Sequence, residues 1–288
     1  MNKYGVGNLR IRLRGIVMIL TFMFIMQSIL LGSAQADVWI QTSQSDFDAG
    51  TKTNVDTISD PGNVILTQGW IKNESNPVLD LGPPGSWESN LVWAPRVIYE
   101  GGKYHMWYSG DNGRGRIGYA NSTDGVTWTR HPSNPVFGPG PDTWEKQSVY
   151  VPTVYYDGTT YHMWYTGYSF SNVYRIGYAN STDGINWNRY PGNPIIDLGP
   201  PNSWEEVSIH ATTVIHDGST YHMWYSAENS TTHRIGYANS INGLDWTRHP
   251  ENPVLDTGPP GSWDDTHVFY PTVHYNDITS TYHMWYIG

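Results

Sequence analysis

The chain has no cysteine, few basic residues beyond its first stretch, and after residue 36 no window with a helical hydrophobic period. Lack of cysteine excludes a disulfide framework and thiolate chemistry, so a mature domain of roughly 250 residues must be held by its core, for which it is large enough. Four of the 16 basic residues, Lys3, Arg10, Arg12 and Arg14, sit together at the start. Behind them Ile16 to Leu31 is apolar apart from Thr21, Gln27 and Ser28, and Ala34-Gln35-Ala36 closes the stretch with small residues. Residues 1–36 therefore read as a secretory signal, which predicts a secreted or extracytoplasmic protein. A retained membrane anchor is the alternative, because the apolar run approaches the length of about 20 that an anchor needs. Setting those four residues aside leaves 12 basic against 26 acidic ones, a formal charge of −14. That balance argues against nucleic acid and anionic membranes as partners.

What the chain has in abundance is aromatic side chains in a repeat. Tyr-His-Met-Trp-Tyr occurs at Tyr104 to Tyr108, Tyr161 to Tyr165, Tyr221 to Tyr225 and Tyr282 to Tyr286, at steps of 57, 60 and 61 residues. A period of that length means an array of supersecondary units. Units begin at Asn76, Asn134, Asn193 and Asn252, giving repeats over 76–133, 134–192 and 193–251, with 252–288 incomplete. Residues 37–75 are predicted to hold N-terminal strands that close the ring, since Gln68 to Pro77 matches the tail of a unit and closure removes exposed sheet edges.

Within each unit the signals are for strands. Val, Ile, Thr, Tyr and Trp fill the runs, and Gly101-Gly102, Asp157-Gly158, Asp217-Gly218, Asp124-Gly125, Asp183-Gly184 and Asn242-Gly243 mark turns between them. Four short strands in about 60 residues make one propeller blade, so the expected fold is all-β, a propeller of four-stranded antiparallel blades with about four in this chain.

The segment Arg116-Ile117-Gly118-Tyr119-Ala120-Asn121-Ser122-Thr123-Asp124-Gly125-Val126-Thr127-Trp128 resembles the blade signature of the five-bladed propeller glycosidases. That superfamily includes the arabinanases and xylosidases of glycoside hydrolase family 43, the invertases and levanases of the family 32 type, and the mannoside phosphorylases. Trp93 to Val97 and Tyr150 to Val154 are similar to the strand that lines the channel in those enzymes, and the resemblance spans residues 76–288. The sialidase Asp box competes less well, because it has one more residue between Asp and Gly.

The resemblance implies carboxylates from different blades converging at one end of the channel, an acid and a base or nucleophile, as glycosidic cleavage requires. One family position for such an Asp directly precedes the inner-strand Pro, and here it holds Ala94, Val151, Ala211 and Tyr270, none of which titrates. The carboxylates nearest the inner strands, Glu88, Glu145, Glu205 with Glu206, and Asp264 with Asp265, recur after a repeated Trp. Recurrence favours a repeated surface or capping role, and leaves Glu205, Glu206, Asp264 and Asp265 as the catalytic candidates. The repeated His105, His162, His222 and His283 occupy equivalent positions in separate units, too far apart to share an ion, and read as packing.

Positions where the units disagree are more informative. Two residues before the inner-strand Pro or its replacement stand Trp93, Tyr150, His210 and Phe269, and two earlier stand Leu91, Ser148, Ser208 and His267. Alternation puts both sets on one strand face, which predicts an aromatic funnel with Ser148, Ser208, His210 and His267 as hydrogen-bond partners. Rings that stack on sugars beside groups that read hydroxyls suit a glycan site. The competing reading is that this face packs between blades. No metal site or cofactor is expected, apart from an axial calcium near His210 or His267 that the resemblance implies. Three functions stay open: a carbohydrate-recognising propeller, an active glycosidase with carboxylates elsewhere, and a structural or adhesive module.

Overall fold

In the computed structural model, which describes residues 73–276 and 280–288, every regular element is a β-strand. The first sheet runs β1 (Leu91–Glu100), β2 (Lys103–Asp111), β3 (Arg116–Ser122), β4 (Thr129–Arg130). The second is β5 (Ser148–Tyr156), β6 (Tyr161–Tyr168), β7 (Tyr174–Ser181), β8 (Asn188–Arg189). The third is β9 (Ser208–His216), β10 (Tyr221–Glu228), β11 (His233–Ser240), β12 (Thr247–Arg248), and β13 (Phe269–Asn276) pairs with β14 (Thr281–Ile287) in a fourth. All pairings are antiparallel between chain neighbours, as in propeller blades. Inner strands β1, β5, β9 and β13 adjoin in chain order, whereas β13 and β1 do not touch. The signal, all but the last three residues of segment 37–75, and the expected pairing of the Trp70 region with β14 lie outside the described residues.

The repeated motif faces two ways across its strand. Trp107 and Trp164 are fully buried, and each indole N–H donates to the carbonyl of the next blade's turn glycine, Gly184 at 2.8 Å and Gly243 at 2.9 Å. Both glycines have positive φ, +73° and +72°, so the turn can present its carbonyl to the neighbouring ring without a Cβ penalty. Three of the four repeated histidines are tied into the sheet: Nδ1 of His105, His162 and His222 each lies 2.6 Å from a tyrosine hydroxyl of the adjacent strand, on Tyr119, Tyr178 and Tyr237, whereas His283 is exposed.

Of the carboxylates that follow the repeated Trp, Glu88, Glu145 and Glu205 are buried rather than at the surface, Glu206 and Asp264 are half-buried and Asp265 is exposed. Glu145 is fully buried, pairs with Arg189 at 2.9 Å and accepts from the Tyr165 hydroxyl at 2.9 Å. Glu205 repeats this with Arg248 and Tyr225, and Asp264 accepts from Tyr286 at 3.0 Å. Recurrence in sequence thus reflects a recurrent charged cluster, whose burial the sequence pattern did not reveal.

A bulge shapes the inner strands. Ala94, Val151, Ala211 and Tyr270 all have φ between +48° and +54°, and pairing with the second strand slips beside each. Positive φ is costly for a β-branched residue such as Val151. It is held by a hydroxyl from the preceding blade: Ser109 accepts from the Val151 amide, Thr166 from Ala211, and Ser226 from Tyr270, at 2.8, 3.1 and 2.8 Å. The bulge re-aims the residue that precedes it, which is the variable aromatic or His210.

Candidate functional site

The inner ends of the four sheets surround a cavity of about 430 Å³. Trp93 enters from β1, Tyr150 and Val151 from β5, His210 from β9, and Phe269 with Tyr270 from β13. The second strands add Asp111, Thr166 and Glu228, and the third strands add Tyr174 and His233. The four residues singled out because the units disagree, Trp93, Tyr150, His210 and Phe269, therefore meet around one space.

One side of the cavity is aromatic. Trp93 and Tyr150 lie 5.2 Å apart between ring centroids, and Tyr168 stacks on Tyr174 at 4.3 Å. The Tyr150 hydroxyl donates to Asp111 at 3.0 Å, and burial, with further help from that carboxylate, pushes the phenol up to about 12. Its ring covers Gly115 so closely that a Cβ there would lie 1.8 Å from it, which is why this position in the first unit is glycine. Ser148 is buried and accepts from the Gly115 amide at 3.0 Å. Strand alternation does put Ser148 and Tyr150 on one face, yet the serine ties blades together rather than opening on the cavity.

The other side is polar. His210 is 9 % exposed and sits against Tyr174, His233 and Tyr270, with ring centroids 5.5, 5.6 and 5.9 Å away. Burial, then the neighbouring His233, pushes its imidazole down to about 4, so it is neutral near pH 7. Nε2 of His233 is 2.8 Å from Oε2 of Glu228. That bond, and a smaller contribution from the Ser208 hydroxyl, keeps the Glu228 carboxyl below its usual range. Ser208 itself is fully buried and also accepts from the Tyr174 amide at 3.3 Å. His267 lies behind His233, Nδ1 to Nδ1 at 3.2 Å.

Asp111 and Glu228 are the carboxylates the sequence reading missed. Both end the strand that begins with the repeated motif, where the first three units read Asp111, Tyr168 and Glu228. Disagreement between units, the signal used for the inner strands, would have found them there, and Gly115, Tyr174 and His233 at the start of the third strand likewise. The earlier catalytic candidates lie elsewhere. Glu205 and Asp264 are held in the charged clusters, Glu206 accepts from the Asn202 amide at 2.6 Å, and Asp265 accepts from the Gly261 amide at 2.6 Å. None of the four lines the cavity.

Comparison with known proteins places this architecture. Residues 103–199 match the family model of glycoside hydrolase family 130, described as beta-1,4-mannooligosaccharide phosphorylase. The model matched is that of family 130, and not of family 43 or family 32. An uncharacterized protein of Mycobacterium tuberculosis is 29 % identical over 211 residues, 69 % of this chain and 68 % of its own. The beta-1,2-mannobiose phosphorylase of Thermoanaerobacter is 30 % identical over 145 residues, 44 % of this chain and 46 % of its own. Among solved structures, a glycosyl hydrolase from Bacteroides ovatus superposes with a TM-score of 0.61 at 20 % identity, covering 75 % of this chain and 68 % of its own. A structure from work on family 130 glycoside hydrolases that target beta-1,2 mannosidic linkages in Candida mannan gives 0.60 at 18 % identity, with coverages of 75 % and 68 %. The fold is that of the glycoside hydrolase β-propellers.

Proposed function

We propose that this is an exported protein that binds a mannose-containing oligosaccharide in the cavity between its inner strands. The observation that carries the reading is the meeting of Trp93, Tyr150, Tyr174 and Phe269 with Asp111, His210 and Glu228 around one space of sugar size. Rings cover the apolar faces of a pyranose, and carboxylates and imidazoles accept from or donate to its hydroxyls. The mannoside class comes from the family match over residues 103–199. Export rests on the basic, apolar and small-residue order of residues 1–36.

A second reading, cleavage of the glycosidic bond, is favoured by one observation: Asp111 and Glu228 reach the same cavity from different blades. Paired carboxyls on separate elements are what hydrolysis uses. Among the described residues that line the cavity there is no lysine or arginine, the usual partners of a bound phosphate.

Calorimetry with β-1,2- and β-1,4-linked mannooligosaccharides tests the binding. Trp93→Ala and Tyr150→Ala are each expected to weaken the affinity tenfold or more, which corresponds to about 1.4 kcal/mol. Unchanged affinity in both variants overturns the assignment of the cavity. Release of reducing sugar that disappears in Asp111→Asn and Glu228→Gln while binding persists would establish cleavage. Recovery of the chain in the cytoplasmic fraction would remove export.

A further inference from the structure

The same three positions near the cavity carry different chemistry in successive blades. They read Trp93, Asp111 and Gly115 in the first, Tyr150, Tyr168 and Tyr174 in the second, and His210, Glu228 and His233 in the third. In the second blade they form a run of neighbouring rings, with centroids 6.5 Å apart for Tyr150 and Tyr168 and 4.3 Å for Tyr168 and Tyr174. The third blade puts two imidazoles and a carboxylate on the same framework.

We propose that His210, Glu228 and His233 form a binding site for one transition-metal ion of the zinc type, with its open position facing the cavity. One ligand atom from each residue lies within 4.8 Å of the other two. Bonds of about 2.0–2.1 Å in tetrahedral geometry hold ligand atoms about 3.3 Å apart, so the set closes with a shift of about 1.5 Å at most. His233 Nε2 and Glu228 Oε2 are already 2.8 Å apart. Two histidines and one glutamate are a donor set known for zinc sites that keep a fourth position free. Imidazole nitrogen suits zinc, nickel or copper, whereas calcium prefers six to eight oxygens, so this site is of a different kind from the axial calcium that the resemblance implies.

Two further features suit a cation. The first is His210, whose ring is 9 % exposed and lines the cavity beside Tyr174 and His233. The second is His233, whose Nε2 lies 2.8 Å from Oε2 of Glu228 while its Nδ1 lies 3.2 Å from Nδ1 of His267, so both ring nitrogens are positioned by polar neighbours. His267 would act as the outer partner that orients a ligating imidazole. His233 and Glu228 are 27 % and 21 % exposed at their side chains, which gives an ion a path from the cavity. The free position would take a water molecule or a sugar hydroxyl.

The site does not depend on the glycan reading, and its test contains no sugar. Full-length protein purified without a histidine tag is freed of metal by chelation and titrated with Zn²⁺ by calorimetry. Co²⁺ is added in parallel and its visible absorption recorded. The expected result is one equivalent bound, with cobalt bands of four- or five-coordinate intensity, and affinity reduced at least 100-fold in the His210→Ala/His233→Ala double variant. Glu228→Gln, which keeps the side-chain shape, is expected to weaken binding at least tenfold, and His131→Ala, remote from the cavity, to leave it unchanged. Circular dichroism and the thermal midpoint of the metal-free variants show whether they are folded. A zinc-dependent rise in the midpoint of the parent that Glu228→Gln lacks is a second readout. No saturable binding, equal binding in the double variant, or preference for Ca²⁺ would each overturn the site. Sugar binding that persists in the chelated protein would separate this proposal from the glycan reading.

Discussion

The indole N–H of Trp107 donates to the carbonyl of Gly184 at 2.8 Å, joining the motif strand of one blade to the turn of the next. Trp164 and Gly243 repeat the bond at 2.9 Å. Replacing Trp107 by Phe keeps most of the ring volume and leaves the Gly184 carbonyl without its donor. The expected loss is about 1–3 kcal/mol in urea unfolding, the cost of an unsatisfied buried polar group. Trp164→Phe should cost a similar amount. Variants that unfold at the parental midpoint would mean that these bonds do not hold the blades together.

Glu145 makes a stronger test, because it is fully buried and shared between Arg189 and the Tyr165 hydroxyl. Burial pushes its carboxyl up while Arg189 and Tyr165 pull it down. Arg189→Met leaves the charge without its counter-ion and is expected to destabilise by about 3–5 kcal/mol. The double variant Arg189→Met/Glu145→Gln should recover part of that loss, as a double-mutant cycle measures. Additive losses would show that the pair is not coupled.

The hairpin turns set an acid limit on stability. Asp157 is held below the usual carboxylate range first by His162 and then by the amides of Thr160 and Thr159, and Asp217 in the same way by His222, Ser219 and Thr220. A folded carboxyl with a depressed pKa contributes stability fully above its unfolded value of about 3.9, and loses it as pH falls further. The thermal midpoint should therefore fall with pH below about 4, and less steeply in Asp157→Asn/Asp217→Asn. Scanning calorimetry from neutral to acid pH checks this, and equal slopes would show that the two carboxyls carry no acid sensitivity.

The blade repeat was legible from local chemistry. Tyr-His-Met-Trp-Tyr and the Asp-Gly turns recur because each blade solves the same packing problem, so strand order and turn positions follow from neighbours in the chain. The same logic identified Trp93, Tyr150, His210 and Phe269 as places where the units part company. It fell short at Asp111, Glu228 and His233, which vary between units just as informatively but lie at the far end of the second strand and the start of the third.

Sequence by itself determined the all-β blade architecture, the scaffold role of His105, His162 and His222, and the inner-strand residues that differ between units, since periodicity and turn chemistry are properties of local segments. Only the tertiary structure decided that Glu145 and Glu205 are buried in charged clusters, that Ser148 ties blades together, and that His210 meets Glu228 and His233. Those relationships depend on the approach of neighbouring strands and blades, which brings together residues as far apart in the chain as Glu145 and Arg189, 44 positions, or Ser109 and Val151, 42 positions. A spacing of that kind leaves no periodic mark in the chain, because its partners are selected by distance in space.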